Sequence, residues 1–196
     1  LRHARNLTLE RRGTLVVARL KATVASERGN STEQAATVAL APVNEPLPAL
    51  PEDLRDATLI RTPVSRIATN ASSDEAFLAQ LGVTERLVAV GGLVSYDDDI
   101  RRRAKAGEIG QVGYNWHSPP NLDVLLACKP DVFLMRLSDP AHTPVLDRAK
   151  ALGIVVLPTL AEEEATYLGR AEWILLYGLL TGTQAQAERV FGEITS

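Results

Sequence analysis

Short apolar runs in the middle of the chain are continuous rather than alternating. They lie at residues 67–69, 87–90 and 132–135, and each is followed by polar or small residues and then by a helical pattern. Continuous runs of this length are typical of strands that are buried on both faces of a parallel sheet. Residues 66–138 therefore predict alternating strands and helices, and the rest of the chain is organised around this stretch.

The same patterns outline the remaining elements. Further strands are predicted at residues 7–10, 14–20, 37–41, 59–60 and 154–157, and helices at residues 75–81, 145–152 and 162–180, with others beginning near Asp97, Asn121 and Thr183. Gly13 is the predicted turn between the first two strands. The first 56 residues thus predict a small β-rich extension, which is too short to bury a core of its own.

The loops that follow the central strands carry the candidate binding residues. In open α/β sheets, ligands bind at the carboxyl ends of the strands. The corresponding loops here are residues 70–74, 91–96, 114–118 and 136–138. We therefore expect a binding site to be built from these four segments.

One of these loops brings together three ring-bearing side chains, Tyr114, Trp116 and His117. Exposed aromatic rings on a loop are unfavourable unless something covers them. Either Trp116 folds back on its own domain, or the rings line a cleft and contact a large, partly apolar ligand. His117 is also a possible ligand for a metal held in a chelate. Tyr96, in the preceding loop, is a second candidate for stacking on a ligand.

Two polar positions at strand ends have competing interpretations. Ser72 or Ser73 is a predicted N-cap, and the same helix N-terminus would also attract an anionic ligand, although Asp74 opposes that attraction. Arg136 follows a strand, where its guanidinium would pair with carboxylate or catecholate oxygens. A salt bridge with Asp139 or another surface acid is the alternative role for Arg136.

Charged residues elsewhere favour a structural role over a metal site. Three aspartates at 97–99 precede three arginines at 101–103, which is the order that the helix macrodipole favours. A protein site for a bare metal ion usually needs several His and carboxylate ligands. His3, His117 and His142 are scattered along the chain, which argues against such a site.

Composition excludes several classes of function. The net charge of −3 offers nothing that would attract nucleic acid, and Cys128 is the single cysteine, so we expect no intrachain disulfide and a small buried hydrophobe at this position. The sequence contains no G-x-G-x-x-G, P-loop or G-x-S-x-G motif, so we expect no enzyme of those kinds. It has no run of 18 apolar residues, and no signal peptide is visible after Leu1.

A series of segments resembles the N-terminal lobe of ABC-transporter substrate-binding proteins of the iron-siderophore, haem and cobalamin type. The segments are Arg66-Ile67, EAFLAQLG at 75–82, RLVAV at 86–90, NLDVLLACKPD at 121–131, LGIVV at 152–156, LGRAEWI at 168–174 and LTG at 180–182. No single segment is specific, but all of them occur in the family's order. The resemblance covers residues 57–196.

The resemblance implies an α/β fold: a three-layer lobe with a mainly parallel sheet flanked by helices. Residues 1–56 would be a β-rich extension packed on the lobe, residues 57–182 the ligand-binding lobe, and residues 183–196 the start of a helix that connects two lobes. We expect the chain to be the N-terminal lobe of a longer protein whose C-terminal lobe is absent here.

The resemblance also implies a function without catalysis or cofactor. The chain would capture a ferric siderophore or similar iron complex, with cobalamin or haem as alternatives, or it would be a sensor domain of the same fold. The predicted ligand-binding residues are Ser72, Ser73, Tyr96, Tyr114, Trp116, His117 and Arg136. Asp123 matches the family's acidic residue that docks on the ABC permease, which works with ATPase subunits. We expect a periplasmic or lipid-anchored monomer.

Overall fold

The computed structural model describes residues 1–25, 29, 31–116, 118–137 and 143–195. The strands are β1 (Leu7–Arg12), β2 (Leu15–Ala25), β3 (Ser31–Pro42), β4 (Thr58–Thr62), β5 (Ile67–Thr69), β6 (Leu87–Val90), β7 (Gly110–Gln111), β8 (Val132–Arg136) and β9 (Val156–Thr159). The α-helices are α1 (Ser72–Gln80), α2 (Asp98–Lys105), α3 (Leu122–Cys128), α4 (Thr143–Ala151), α5 (Tyr167–Glu172), α6 (Ile174–Thr181) and α7 (Gln184–Thr195). Short 3₁₀ turns lie at Glu52–Leu54, Thr84–Arg86 and Ala161–Glu163.

Contacts along the backbone divide the chain into two compact units. The first contains residues 1–24, 32–64 and 160–196, and the second contains residues 25–31 and 65–159. The first unit therefore combines the N-terminal strands with the C-terminal helices. The predicted domains, with boundaries at residues 56 and 182, are instead continuous stretches of the chain. Those domain boundaries stay a prediction.

The first unit is built on a four-stranded sheet in the order β1-β2-β3-β4. β1 and β2 form an antiparallel hairpin around Gly13, whose φ of 61° suits a glycine turn. β4 lies parallel to β3. Leu15, Val17, Ala41 and Leu54 are buried together in a small apolar cluster. The strands predicted near the N-terminus are thus confirmed, and each is longer than its apolar pattern suggested.

The single long helix predicted for residues 162–180 is wrong. Ala161–Glu163 forms a 3₁₀ turn, Glu164 is extended, and α5 begins only after Thr166, whose hydroxyl accepts the Gly169 N–H at 3.0 Å. The acidic run therefore precedes the helix rather than opening it. Trp173, which joins α5 to α6, is fully buried, and this confirms the prediction that it is a core residue.

Two buried glutamates hold the N-terminal segment of the first unit. The Glu172 carboxylate accepts the N–H groups of residues 2, 3 and 4 at 2.7–2.8 Å. The Glu164 carboxylate accepts the N–H groups of Arg5 and Asn6 and the indole N–H of Trp173. These bonds explain why Glu164 leaves the helical conformation: its side chain pairs with backbone 158 to 159 positions away in sequence.

The second unit is built on a five-stranded sheet in the order β7-β6-β5-β8-β9, and all of its recorded strand pairs are parallel. α1, α3 and α4 contact these strands. β5 and β8, at the centre, contain residues that are buried on both faces of the sheet. The predicted α/β fold, with a mainly parallel sheet flanked by helices, is confirmed.

The acidic residues at the start of α2 and the basic residues at its end have the structural role that the sequence predicted. Asp97 is the N-cap, and its Oδ1 accepts the Ile100 N–H at 3.0 Å. Asp98 pairs with Arg101, and Asp99 with Arg102 at 2.8 Å. Among the described residues, no group of three or more His, Cys, Asp or Glu side chains is placed to hold a metal ion. No helix within the described ranges is long and apolar enough to cross a membrane.

Candidate functional site

The order of the parallel strands creates a crevice at one end of the second unit. From β5 the chain passes to β6 and β7 on one side, and then returns to β8 on the other side of β5. β5 and β8 are therefore neighbours, and the strands that follow them in the sequence, β6 and β9, lie on opposite sides of this pair. In open α/β sheets this topological switch point is where ligands bind.

Asn70 joins the segments that meet at this switch point. Its side chain is buried, and its Oδ1 accepts the backbone N–H of Arg136 at 2.8 Å. Its carbonyl oxygen accepts the N–H of Asn115 at 3.1 Å. One asparagine thus positions the end of β8 and the aromatic loop. Asn70 lies in one of the predicted candidate loops, and an amide directly after a buried strand is the sequence signal that marks this role.

Tyr114 forms the buried base of the aromatic loop. A Cβ atom built on Gly91 would lie 2.2 Å from Tyr114 Cδ1, so the ring packs directly against the glycine backbone. The Tyr114 hydroxyl accepts the N–H of Val94 at 2.8 Å. Burial, together with the negative charge of Glu75, raises the pKa of Tyr114 to about 12. Tyr114 is therefore a neutral group that links two loops.

Trp116 stacks on Tyr114. The two ring centroids are 5.6 Å apart and the ring planes differ by 12°. Trp116 is nevertheless 64% exposed, so much of its surface remains open to solvent. The structure thus combines the two expectations for this residue: it folds back on a neighbouring ring and leaves a large aromatic surface accessible. His117 lies outside the described residues.

Two other predicted ligand-binding residues, Tyr96 and Arg136, lie at the same carboxyl edge of the sheet. Tyr96 is 88% exposed in the segment between β6 and α2. Arg136 is the last residue of β8 and is partly exposed. Asp139, the alternative partner of Arg136, lies outside the described residues. Trp116 and Tyr96 therefore lie in two loops, and Arg136 at the end of a strand, at the carboxyl edge of one sheet. Their contact with a ligand stays a prediction.

The prediction that Ser72 or Ser73 caps α1 is wrong. Ala71 is the N-cap, and no side chain of the described residues caps this helix. The turn is organised instead by Thr69, whose hydroxyl accepts the Ala71 N–H at 3.1 Å and donates to the Asp74 carboxylate at 2.7 Å. Both serines are half-buried in the first turn of α1, and their role in ligand binding stays a prediction.

Asp123 is exposed in the first turn of α3, where an acid is favoured by the helix macrodipole. Asn121 caps this helix, and its Oδ1 accepts the N–H groups of Asp123 and Val124 at 3.0 and 3.2 Å. Beside Asp123 lies a surface depression of about 230 Å³ that Arg148 of α4 also lines. The contact of Asp123 with a permease stays a prediction.

Cys128, the single cysteine, is only partly buried, at the end of α3. A Cβ atom on Gly110 would lie 2.7 Å from its Sγ. The thiol therefore packs closely on β7, as a small apolar side chain would. The predicted burial of Cys128 is therefore only partial, although its thiol packs against β7 as expected of a small hydrophobe.

Comparison with known proteins identifies the fold. No protein-family model and no curated protein matches the chain. Among solved structures, the siderophore-binding protein BauB, bound to ferric iron and two molecules of acinetobactin, is 17% identical with a TM-score of 0.56. A possible iron-binding periplasmic protein from Staphylococcus epidermidis is 23% identical with a TM-score of 0.53. The molybdate periplasmic binding protein MolA from Haemophilus influenzae is 20% identical with a TM-score of 0.52.

The alignments cover 89%, 67% and 67% of this chain and 51%, 48% and 45% of the three proteins, respectively. The chain thus spans about half the length of the proteins it matches. These proteins are described as binding proteins for quite different solutes, which means that the fold alone leaves the ligand open. The chain has the fold of one lobe of the periplasmic substrate-binding proteins of the iron-siderophore type, as the sequence resemblance predicted.

Proposed function

We propose that the chain is part of a solute-binding component of an ABC importer, which captures a ferric siderophore or a similar iron complex and delivers it to a membrane permease. The protein would act outside the cytoplasm and without catalysis. The observation that carries this proposal is the stacked pair of Tyr114 and Trp116 at the carboxyl edge of the parallel sheet.

The physical argument rests on what this edge offers a ligand. Trp116 and Tyr96 expose large aromatic surfaces that lose unfavourable contact with water when a flat organic chelator covers them. Arg136 adds a permanent positive charge at the switch point, which suits the carboxylate or catecholate oxygens of an anionic chelate. Asn70 holds the backbone of Arg136 in place, so the end of β8 is ordered before a ligand arrives.

The test is a tryptophan-fluorescence titration with a ferric hydroxamate, a ferric catecholate, haem and cyanocobalamin. The chain has two tryptophans, of which Trp116 is exposed and Trp173 is fully buried. We expect saturable quenching by a ferric chelate, because the ligand would cover the Trp116 ring. The variant Trp116→Phe, which retains Trp173, corrects for light absorbed by the coloured ligands.

Each outcome is informative about ligand class. Saturable quenching by one ferric chelate that disappears in Trp116→Phe supports the proposal. Saturation by haem or cyanocobalamin alone would move the assignment to those ligands in the same role. Equal saturable responses of the wild type and Trp116→Phe would overturn the proposed site. The absence of a saturable response to any of the four ligands would overturn the proposed function and favour a sensor domain that binds none of them.

A further inference from the structure

The loop that leads from β6 to α2 exposes three large apolar side chains close together in sequence. Leu93 is 48% exposed and Val94 is 60% exposed, and Tyr96 is the most exposed of the large hydrophobic side chains described. We call Leu93, Val94 and Tyr96 the apolar strip. A single exposed apolar side chain is ordinary, whereas a group of them marks a surface that binds something.

The apolar strip is joined to the aromatic loop. The Tyr114 hydroxyl accepts the Val94 N–H at 2.8 Å, and a Cβ atom on Gly92 would lie 3.2 Å from the Tyr114 ring. Trp116 stacks on the same tyrosine. Of the ten large hydrophobic side chains that are exposed in the described residues, four belong to these two loops. The exposed apolar surface is therefore concentrated at the candidate site.

Charge is distributed unevenly along this edge of the sheet. Arg136 ends β8, the apolar strip follows β6, and β5 lies between these two strands. Neighbouring strands are about 4.8 Å apart, so the ends of β6 and β8 are separated by roughly 10 Å. The strip contains no basic residue, and the acidic residues 97–99 follow it. An anionic chelate therefore finds a positive charge at the β8 end, and only an uncharged part of it suits the β6 end.

We propose that the apolar strip binds an alkyl arm of the chelate. The ligand would be amphiphilic, with an anionic iron-binding end near Arg136 and an uncharged chain along Leu93 and Val94. This inference rests on the proposed function and narrows its substrate class. A flexible alkyl chain follows the uneven surface of branched aliphatic side chains, and each methylene group that it buries tightens binding by up to about fourfold.

The first measurement uses uncharged probes, so that it depends on the strip alone. Ethanol, butan-1-ol and hexan-1-ol are titrated into the protein, and the backbone amide NMR signals of Val94 and Tyr96 are followed. We expect the affinity to rise by about two- to fourfold for each added methylene group, fourfold being full burial. Leu93→Ser removes apolar surface from the strip and should weaken the binding of hexan-1-ol by about fivefold.

Leu152→Ser is the matched control, because Leu152 is 44% exposed directly after α4, away from these loops. It should bind hexan-1-ol like the wild type. Dilution of the protein without alcohol tests whether a second copy covers the strip instead. Amide signals of Val94 and Tyr96 that move with protein concentration would assign the strip to self-association and overturn the proposal.

The second measurement adds an arm to a chelate. The ferric hydroxamate and the ferric catecholate of the fluorescence titration are each prepared with an acetyl arm and with a hexanoyl arm, which leaves the iron coordination unchanged. We expect the hexanoyl form of the chelate that binds to have about tenfold higher affinity or more, because its chain is four methylene groups longer. Leu93→Ser should remove this gain, and Leu152→Ser should retain it.

The outcomes separate this inference from the proposed function. Alcohols that give no saturable shift, or that bind equally whatever their length, would overturn the alkyl site. A chelate that binds equally with either arm would also overturn it and leave the proposed function standing. If neither chelate binds with either arm, the proposed function fails and the chelate arm with it, whereas binding of the alcohols that depends on chain length would still locate an alkyl site at the strip.

Discussion

At the scale of single residues, Glu75 shows how burial changes the chemistry of an ordinary carboxyl group. Burial is the main cause that raises its pKa from 4.5 to about 7, and the neighbouring charges of Asp74 and Asp97 raise it further. The Ser95 side chain acts in the opposite direction. Glu75 therefore changes its charge close to neutral pH, where most carboxyl groups are fully ionised.

This shift predicts a specific pH dependence of stability. Because the folded protein holds the proton of Glu75 more tightly than the unfolded chain, the free energy of unfolding should fall as pH rises from about 4.5 to about 7. The loss is about 3 kcal/mol for a shift of this size. Glu75→Gln removes this dependence and should be more stable than the wild type at pH 8. Urea unfolding at a series of pH values measures the difference.

The control for this prediction is Glu85→Gln, because Glu85 is an exposed acid. This variant should follow the wild-type curve throughout. If Glu75→Gln and the wild type differ by the same free energy of unfolding at pH 4.5 and pH 8, Glu75 is not the group that titrates near neutrality.

At the scale of elements, the N-terminal segment (residues 2–6) is held by hydrogen bonds to the carboxylates of Glu164 and Glu172. Burial raises the pKa of Glu172, but the three backbone N–H bonds outweigh burial and hold this pKa below its ordinary value. The ionised form is therefore favoured in the folded state. Its contribution to stability is present above the ordinary pKa of a glutamate and is lost as pH falls through the lowered value.

Glu172→Gln should release residues 2–4. A neutral amide accepts hydrogen bonds more weakly than a carboxylate, and its NH₂ group faces N–H donors, so we expect a loss of about 1–3 kcal/mol in the free energy of unfolding. Amide hydrogen exchange of Arg2, His3 and Ala4 measures the local effect. Glu85→Gln, an exposed change in the 3₁₀ turn at Thr84–Arg86, is the control. Unchanged exchange at these three amides would show that the carboxylate does not hold the segment.

The loop after β6 and the aromatic loop form one packed element at the carboxyl edge. Gly91 has no room for a side chain, because a Cβ atom there would overlap the ring of Tyr114 at 2.2 Å. This close approach places Tyr114 under Trp116 and links the two loops through the Val94 N–H. The exposed ring surface of Trp116 thus depends on a glycine in another loop.

Gly91→Ala should therefore displace Tyr114 and lower stability by about 1–3 kcal/mol, as overpacking does. It should also weaken any chelate binding that Trp116 reports. Gly192→Ala is the control, because nothing lies within 4 Å of the added methyl group on α7. There alanine should stabilise the helix by up to about 1 kcal/mol. Thermal unfolding of both variants tests the pair, and a Gly91→Ala protein as stable as the wild type would contradict the packing argument.

At the scale of the whole molecule, we expect ligand binding and docking on a permease to use different surfaces. Asp123 lies in the first turn of α3 and is exposed, as the proposed contact with a permease requires. It does not belong to the loops that carry Tyr96, Trp116 and Arg136. Binding and delivery should therefore respond to different substitutions.

Asp123→Asn should leave chelate affinity unchanged and reduce chelate uptake about tenfold in cells that carry the importer, since an exposed docking ion pair controls association. Asp147→Asn, an exposed change on α4, should leave both unchanged. Uptake of an iron-labelled chelate and the fluorescence titration measure the two quantities. Wild-type uptake by Asp123→Asn would remove Asp123 from the docking surface.

The sequence by itself determined the order and type of most elements, but not the division of residues 162–180 into a 3₁₀ turn and two helices. Continuous apolar runs predicted β5, β6 and β8, because strands buried on both faces need apolar side chains at every position. The charge order of α2 and the start of α3 at Asn121 were also readable, since caps and macrodipole effects act within one turn. The resemblance to binding proteins followed from the same local segments.

The tertiary structure alone decided the order of the strands and the chemistry of the edge. Asn70 meets Arg136 across 66 positions, and Glu164 meets Arg5 across 159. Such partners leave no periodic signal, because they are brought together only when the sheet and the N-terminal segment pack. The same packing buries Tyr114, exposes Trp116 and removes Glu75 from water. Local pattern therefore predicted the elements, and contacts distant in sequence set the charge, exposure and position of the side chains at the candidate site.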